Sequence, residues 1–557
     1  MSTTHAQTDW LAKAHSQFDP AVNMQVTTLK SNGYHTQLTD GKVVHPTTAS
    51  MSYALECIHT GEPELIQRGQ DVLRKLLTLQ DTDPVSYTFG VWPWYLEEPL
   101  SAMKPPDLNW ADFLGSSLAR LLVRSRHVLA ADLVADMAAA LDRAAWRIFR
   151  RNMGPNYTNI SILGASVTCL AGEILAEPRL TAYARRRLGR IIDHRLEHSG
   201  FNEYNSPGYF TVSMTACEDA LHLLKDEQTK RDWERLRRLL WEDASQYYHV
   251  PTGQWAGPMS RSYSDPIQPN AAHYLSQRAG IKPSGHSKPG KLEPMPCPTD
   301  LLGRYQTVPD APRQFSQRFQ ILPEGGQIVG TTWMDQQACL GSINHDSIWT
   351  QRRVLLGYWN ANDAVAVLRL RFLRDGKDFA SVCAHNAQNG PRVLSAVSLL
   401  MDCGNWHLHQ DKRDNQTFDA QDFRLRYQLQ CPGAQARQLG ENLYELSAGD
   451  RRAVIHTTPS HFGPFQVTWQ LGQEDDTVYL EGICYSGPSR AFDFRSMEDV
   501  AVTAGLELLS NDQSPSGPVE SAAVDGKLQA AWPTNLSLQA PLRAVHRANF
   551  VSGFPFD

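Results

Sequence analysis

The chain has 557 residues, 41% hydrophobic and 20% charged, with a net charge of −6. That length exceeds what one hydrophobic core usually serves, so two or three domains are expected. The net acidity excludes a general nucleic-acid binder, whose footprint is basic, but is compatible with a local basic cleft and an anionic substrate.

From the N-terminus, a polar start without a basic or apolar leader region gives way to helical periodicity. The spacing predicts helices over about 46–61 and 62–80; in the second, Leu65, Ile66, Val72, Leu73, Leu76 and Leu77 share one face. An aromatic loop with Trp92, Trp94 and Tyr95 follows. Further helices are predicted over about 107–128, 131–151, 158–176, 178–198, 206–225 and 227–247. They come in pairs. The first helix of each pair opens on a similar polar-aromatic loop, near His45-Pro46-Thr47, Asp107-Leu108-Asn109-Trp110, Asn156-Tyr157-Thr158-Asn159 and Glu203-Tyr204-Asn205-Ser206. A helical hairpin is therefore the repeating unit, with its loops of Asn, Tyr and Trp gathered at one end.

A Pro- and Gly-rich stretch then reads as a linker, and beyond it the periodicity alternates. Strands are predicted over 327–334, 365–372, 423–429, 465–471 and 477–483 with no helices between them, which implies an antiparallel sandwich. The expected fold is α+β and multidomain: helical hairpins over 1–280, a linker over 281–310 and an antiparallel β-sandwich over 311–557.

The stretch from Phe201 to Phe210 packs two phenols, two amides and a carboxylate at a helix entrance, with Ser206 as N-cap and Pro207 as first helical residue. Such a cluster offers proton donors, amide hydrogen bonds and flat faces for sugar rings. The nine cysteines are scattered without a Cys-x-x-Cys pair, which suits a reducing compartment. No apolar run approaches the roughly 20 residues of a transmembrane helix. A cytoplasmic protein with no membrane or nucleic-acid partner is expected, or a periplasmic or secreted one if a leader was removed.

The arrangement resembles the α/α-toroid polysaccharide lyases, in particular the heparinase II/III-like group, with motif-level likeness at Asn156–Asn159 and Glu203–Tyr209. The resemblance implies an incomplete (α/α) toroid followed by a β-sandwich, and β-elimination on a uronate-containing glycan. Elimination at a 4-linked uronate needs the carboxylate neutralised, a base at C5 and an acid at the leaving O4. Asn159 is expected on the carboxylate, with Asn156 or Asn205 as substitutes. Tyr209 is the preferred proton-transfer residue and Tyr204 the second. A phenol with its ordinary pKa of about 10 needs a nearby cation to act as a base, and Arg261 is the local candidate. A histidine base, His345, is the alternative. Glu203, Asn109, Trp110, Trp92, Trp94 and Tyr263 are expected to line the carbohydrate.

No cofactor is required for this chemistry. His407 and His409 would share one face of a strand and, with His385 or Asp402, form a candidate site for a structural divalent metal in the β domain. Two other readings remain. One is a glycoside hydrolase using paired carboxylates from Asp107, Glu203 and Asp265. The other is a carbohydrate-binding protein without catalysis.

Overall fold

The computed structural model describes residues 3–30, 35–282, 293–402 and 415–552. Paired helices run over Thr47–His59 and Pro63–Leu77, Trp110–Arg124 and Ala131–Arg151, Thr158–Ile174 and Pro178–His198, and Pro207–Leu223 and Glu227–Ser245. Helices Thr3–Ser16 and Pro269–Ala279 add to them; the first lies in the stretch that reads as a polar start.

The chain forms two compact units that interleave along the sequence. One comprises Met1–His194, Phe210–Trp241 and Pro269–Thr299; the other comprises Arg195–Tyr209, Glu242–Gln268 and Asp300–Asp557. Two segments of the helical half thus cluster with the β half, a grouping different from a linear division at 281–310.

In the first unit, Thr47–His59, Trp110–Arg124 and Thr158–Ile174 pack on one another in succession, and each of the first two also packs on its own hairpin partner. Burial follows composition. Helix Thr158–Ile174 is buried at every position from Thr158 to Gly172, a stretch that carries no charged side chain. Ala131–Arg151 buries one stripe, including Leu133, Met137, Leu141, Ala144 and Ile148, and leaves its charged face outside.

The second unit holds two large antiparallel sheets. In the first, the neighbours in order are Thr468–Glu474, Thr477–Phe492, Phe418–Gln430, Ala364–Arg374, Leu355–Ala361, Ala338–Ile343, Gln327–Met334 and Arg313–Ile321. In the second they are His345–Ser347, Val382–Asn389, Arg392–Leu399, Val500–Ser510, Arg451–Thr457, Leu443–Ala448 and Gln435–Gly440. The sheets pack face to face as a sandwich. Its core includes a cluster of phenylalanines, with Phe423 within 6.0 Å of Phe372, Phe418, Phe462 and Phe492. A three-stranded meander from Glu520 to Pro541 covers the second sheet through Leu394, Trp532 and Leu536.

The architecture is therefore an incomplete (α/α) toroid of helical hairpins followed by an antiparallel β-sandwich. Eight cysteines lie among the described residues, all buried and unpaired. No helix among those residues is long and apolar enough to cross a membrane.

Candidate active site

Three segments of the second unit are stitched together around Tyr209. The helix that carries it begins at Pro207. Just before, Asn205 takes a left-handed φ of 46°, which its short amide tolerates. Its Nδ2 donates to the carbonyls of Ala256 (2.5 Å) and Pro258 (3.0 Å), which fastens the 256–265 loop to the helix entrance. That loop lies so close to strand Ala338–Ile343 that a Cβ on Gly341 would come within 2.3 Å of Gly257 Cα. Gly257 itself has φ +88°, so both positions need glycine. Met259 and Arg353 exchange backbone hydrogen bonds, and Ser262 N–H donates to Gln351 O at 2.6 Å.

Arg261 sits at the centre of this junction, 3% exposed, with every nitrogen of its guanidinium engaged. Nε donates to Gln351 Oε1 (3.1 Å), Nη1 to Glu203 Oε1 (2.6 Å) and Nη2 to the Tyr209 hydroxyl oxygen (2.8 Å). The guanidinium carbon lies 4.1 Å from the Tyr209 ring centroid, a cation–π contact on the same phenol. Tyr209 is half-buried, and its ring lies 6.1 Å from that of Tyr263, which is 62% exposed. Because Arg261 Nε fixes the Gln351 oxygen, the Gln351 Nε2 is left buried with no acceptor. The arrangement can stabilise a phenolate on a partly open tyrosine beside an exposed aromatic face.

The second-choice phenol has a different environment. Tyr204 is 2% exposed, stacks on Phe319 and donates to Asp346 Oδ2 at 3.0 Å. Burial first, and the Asp346 charge next, push its pKa well above the ordinary value. It is an anchor and not a base. Asp346 is in turn held by Arg352 and by Ser552 Oγ (2.8 Å). Asn205 has its amide nitrogen engaged by the two carbonyls, so it braces the loop and is no free substitute for Asn159.

His345 pairs across strands with His385, and its Nδ1 contacts the Phe550 carbonyl at 2.8 Å. Burial pulls the His385 pKa down to about 3, and its Nε2 meets Ser398 Oγ at 2.8 Å. His407 and His409 lie outside the described residues. Among the described residues, no group of three or more His, Cys, Asp or Glu could hold a metal ion. Asp265 pairs with Arg353 and Arg369; burial alone would raise its pKa, but the Arg369 and Arg353 charges outweigh it and hold the carboxyl below the usual range.

The remaining sequence candidates belong to the first unit. Trp92 is fully buried with its indole N–H on Leu76 O, so it is core and offers no face to a sugar. Trp94 and Trp110 are half-buried, with ring centroids 5.1 Å apart. Trp94 Nε1 donates to Asp107 Oδ2 (3.1 Å), and Asn109 bridges Arg151 (2.6 Å) and the Tyr157 hydroxyl (3.2 Å). Asn159 is 1% exposed in the first turn of its helix, and Asn156 is half-buried in the preceding loop. The loops opening successive hairpins thus meet as Trp94, Asp107, Asn109, Trp110 and Tyr157.

Gln351, Asp346 and Arg352 are site residues that sequence reasoning did not single out. The polar run Gln351-Arg352-Arg353 between strands is the only sequence signal for them.

A family model described as a domain of unknown function, DUF8769, matches residues 17–277. No curated protein matches. Among solved structures, the chondroitin AC lyase of Streptomyces coelicolor A3, in complex with chondroitin sulfate, superposes with a TM-score of 0.50. The match is 10% identical and covers 97% of this chain and 84% of that one. The two share the architecture of a helical toroid followed by a β-sandwich. Heparinase III also matches, at 10% identity and a TM-score of 0.43, over 88% of this chain and 81% of its own.

Proposed function

We propose that the protein is a polysaccharide lyase that cleaves a uronate-containing glycan by β-elimination. The observation that carries this reading is the Arg261 guanidinium, donating to the Tyr209 hydroxyl at 2.8 Å from a buried position where its charge is little screened. Tyr209, as phenolate, takes the proton at C5. The electron pair left behind forms the C4–C5 double bond as the C4–O4 bond breaks, and a proton returns to the leaving O4. The carboxylate beside C5 must be neutralised by a hydrogen-bond donor for this step to proceed. Exposed Tyr263, beside Tyr209, supplies a face for a sugar ring.

A hydrolase needs one carboxylic acid kept protonated to meet the leaving group. Each carboxylate offered for that role is already engaged: Glu203 pairs with Arg261, Asp265 with Arg353 and Arg369, and Asp107 accepts from Trp94 Nε1. Purified protein is offered a panel of uronate glycans and the ultraviolet absorbance of unsaturated sugar is followed. Elimination by the wild type and its loss in Tyr209→Phe, with glycan binding retained, are expected. Undiminished turnover in Tyr209→Phe, or new reducing ends without the absorbance, would refute the proposal.

A further inference from the structure

Outside the Tyr209 cluster, the second unit carries a cavity of about 340 Å³ whose lining includes Tyr248, Arg304, Arg313 and Met334. Its size is at the lower end of the range for small-molecule sites. Arg313 opens the strand Arg313–Ile321 and pairs in register with Met334, while Arg304 lies on the helical turn Gly303–Gln306. Arg313 Nη2 donates to Gln246 O at 3.1 Å and lies 3.4 Å from Met334 Sδ; its Nε is buried with no acceptor. Arg304 Nη1 donates to Ser245 Oγ at 3.0 Å. Neither guanidinium makes an ion pair among the described residues. The one carboxylate in the lining is Asp300, so two cations face one anion.

A half-buried guanidinium without a counter-charge is costly, because water is partly excluded and the Gln246 carbonyl, the Met334 sulfur and the Phe315 ring, 5.7 Å away, carry no charge to replace it. Burial, and then the repulsion of Arg304, lower the Arg313 pKa. The lining also offers apolar surface: Tyr248 is 7% exposed, with its ring 5.4 Å from that of Tyr305. We propose that this cavity binds an oxyanion, a sulfate or carboxylate group held between Arg304 and Arg313, with Tyr248 and Met334 against the body of the molecule that bears it. Planar guanidinium forks suit both groups, and charge-assisted bonds of this kind are strong. The oxyanion has two sources, the free inorganic ion or an acidic sugar, and the same experiment separates them.

The full-length protein is titrated by calorimetry with sodium sulfate, with glucuronate and with a sugar sulfate, each against sodium chloride at matched ionic strength. Arg304→Gln is the variant of choice, because Arg304 is exposed, whereas Arg313 also caps Gln246 O; its melting temperature without ligand checks the fold. Saturable binding is expected in the wild type and a loss of about tenfold or more in the variant, since a charge-assisted contact is removed. Arg304→Lys should recover part of it. Tighter binding of an acidic sugar than of sulfate assigns the Tyr248 surface to a sugar body, and equal binding confines the site to the inorganic ion. Absence of saturable binding by all three ligands, or equal affinity in wild type and Arg304→Gln, overturns the proposal. Binding is read without turnover, so its failure is distinct from failure of the lyase reading.

Discussion

Replacing Arg261 by glutamine removes the cation beside Tyr209 and leaves the chain otherwise similar in size. With the guanidinium carbon 4.1 Å from the ring centroid, a unit charge acting through an effective dielectric of about 20 is worth about 4 kcal/mol to a phenolate. Glu203, at 2.6 Å from Nη1, cancels part of that. The remainder falls in the range of about 1 to 3 pK units that one opposite charge at this distance commonly produces. The acid limb of the pH–rate profile should therefore move up by about 1 to 3 pH units in Arg261→Gln. At a fixed pH below that limb, turnover falls about ten- to a thousandfold. Glu203→Gln does the reverse: it leaves the cation uncancelled, and the limb moves down. The assay is initial rate of unsaturated-product formation across pH for both variants and the wild type. If the limb stays in place in Arg261→Gln, or both variants move it in the same direction, the electrostatic reasoning is wrong.

Other expectations follow from the same geometry. Tyr204→Phe leaves Asp346 without one of its donors and should cost about 1 to 3 kcal/mol of stability. Its pH–rate profile should keep the wild-type limb, in contrast to the Arg261 variant. Asp112, buried in the first unit, has its pKa pushed up to about 7 by burial, against the opposing pull of Arg151 and Arg187. The folded state therefore holds a proton that the unfolded state releases near its ordinary value of 3.8, so stability is full below about pH 4 and is lost as pH rises toward about 7. Asp112→Asn should flatten that dependence, by up to about 1.4 kcal/mol per pH unit, as read from melting temperatures across the window.

The strongly periodic elements were legible from the sequence. Ala131–Arg151, Pro178–His198 and Gln327–Met334 run between the predicted residues, because their apolar spacing admits one face and one period. Burial within a short stretch was not legible. Trp92 and Trp94 stand two residues apart, yet one is core and the other half-buried; Tyr204 and Tyr209 stand five apart, yet one is sealed against Asp346 and the other faces Arg261. The deciding partners are remote in sequence: both Tyr204–Asp346 and Tyr209–Gln351 join residues 142 positions apart. Spacing rules reach a few turns of helix or a hairpin, so nothing local ties Asp346 to Tyr204, and the polar run at Gln351 does not say which phenol it meets. Arg261 could be named because its charge was required by the chemistry.

The interleaving of the two compact units bears on how the molecule can be dissected. Arg318 donates to the carbonyls of Glu197 and His198, and Arg195 pairs with Asp243, so the second unit closes on segments encoded ahead of the Pro- and Gly-rich stretch. A fragment expressed from residue 311 onward would lack Arg195–Tyr209 and Glu242–Gln268, and with them Glu203, Tyr209 and Arg261. During synthesis those segments leave the ribosome well before the strands they join. The second unit is thus completed only once the strands beyond the linker have followed, and shuffling this protein's halves at the linker would exchange a fragment and not a module.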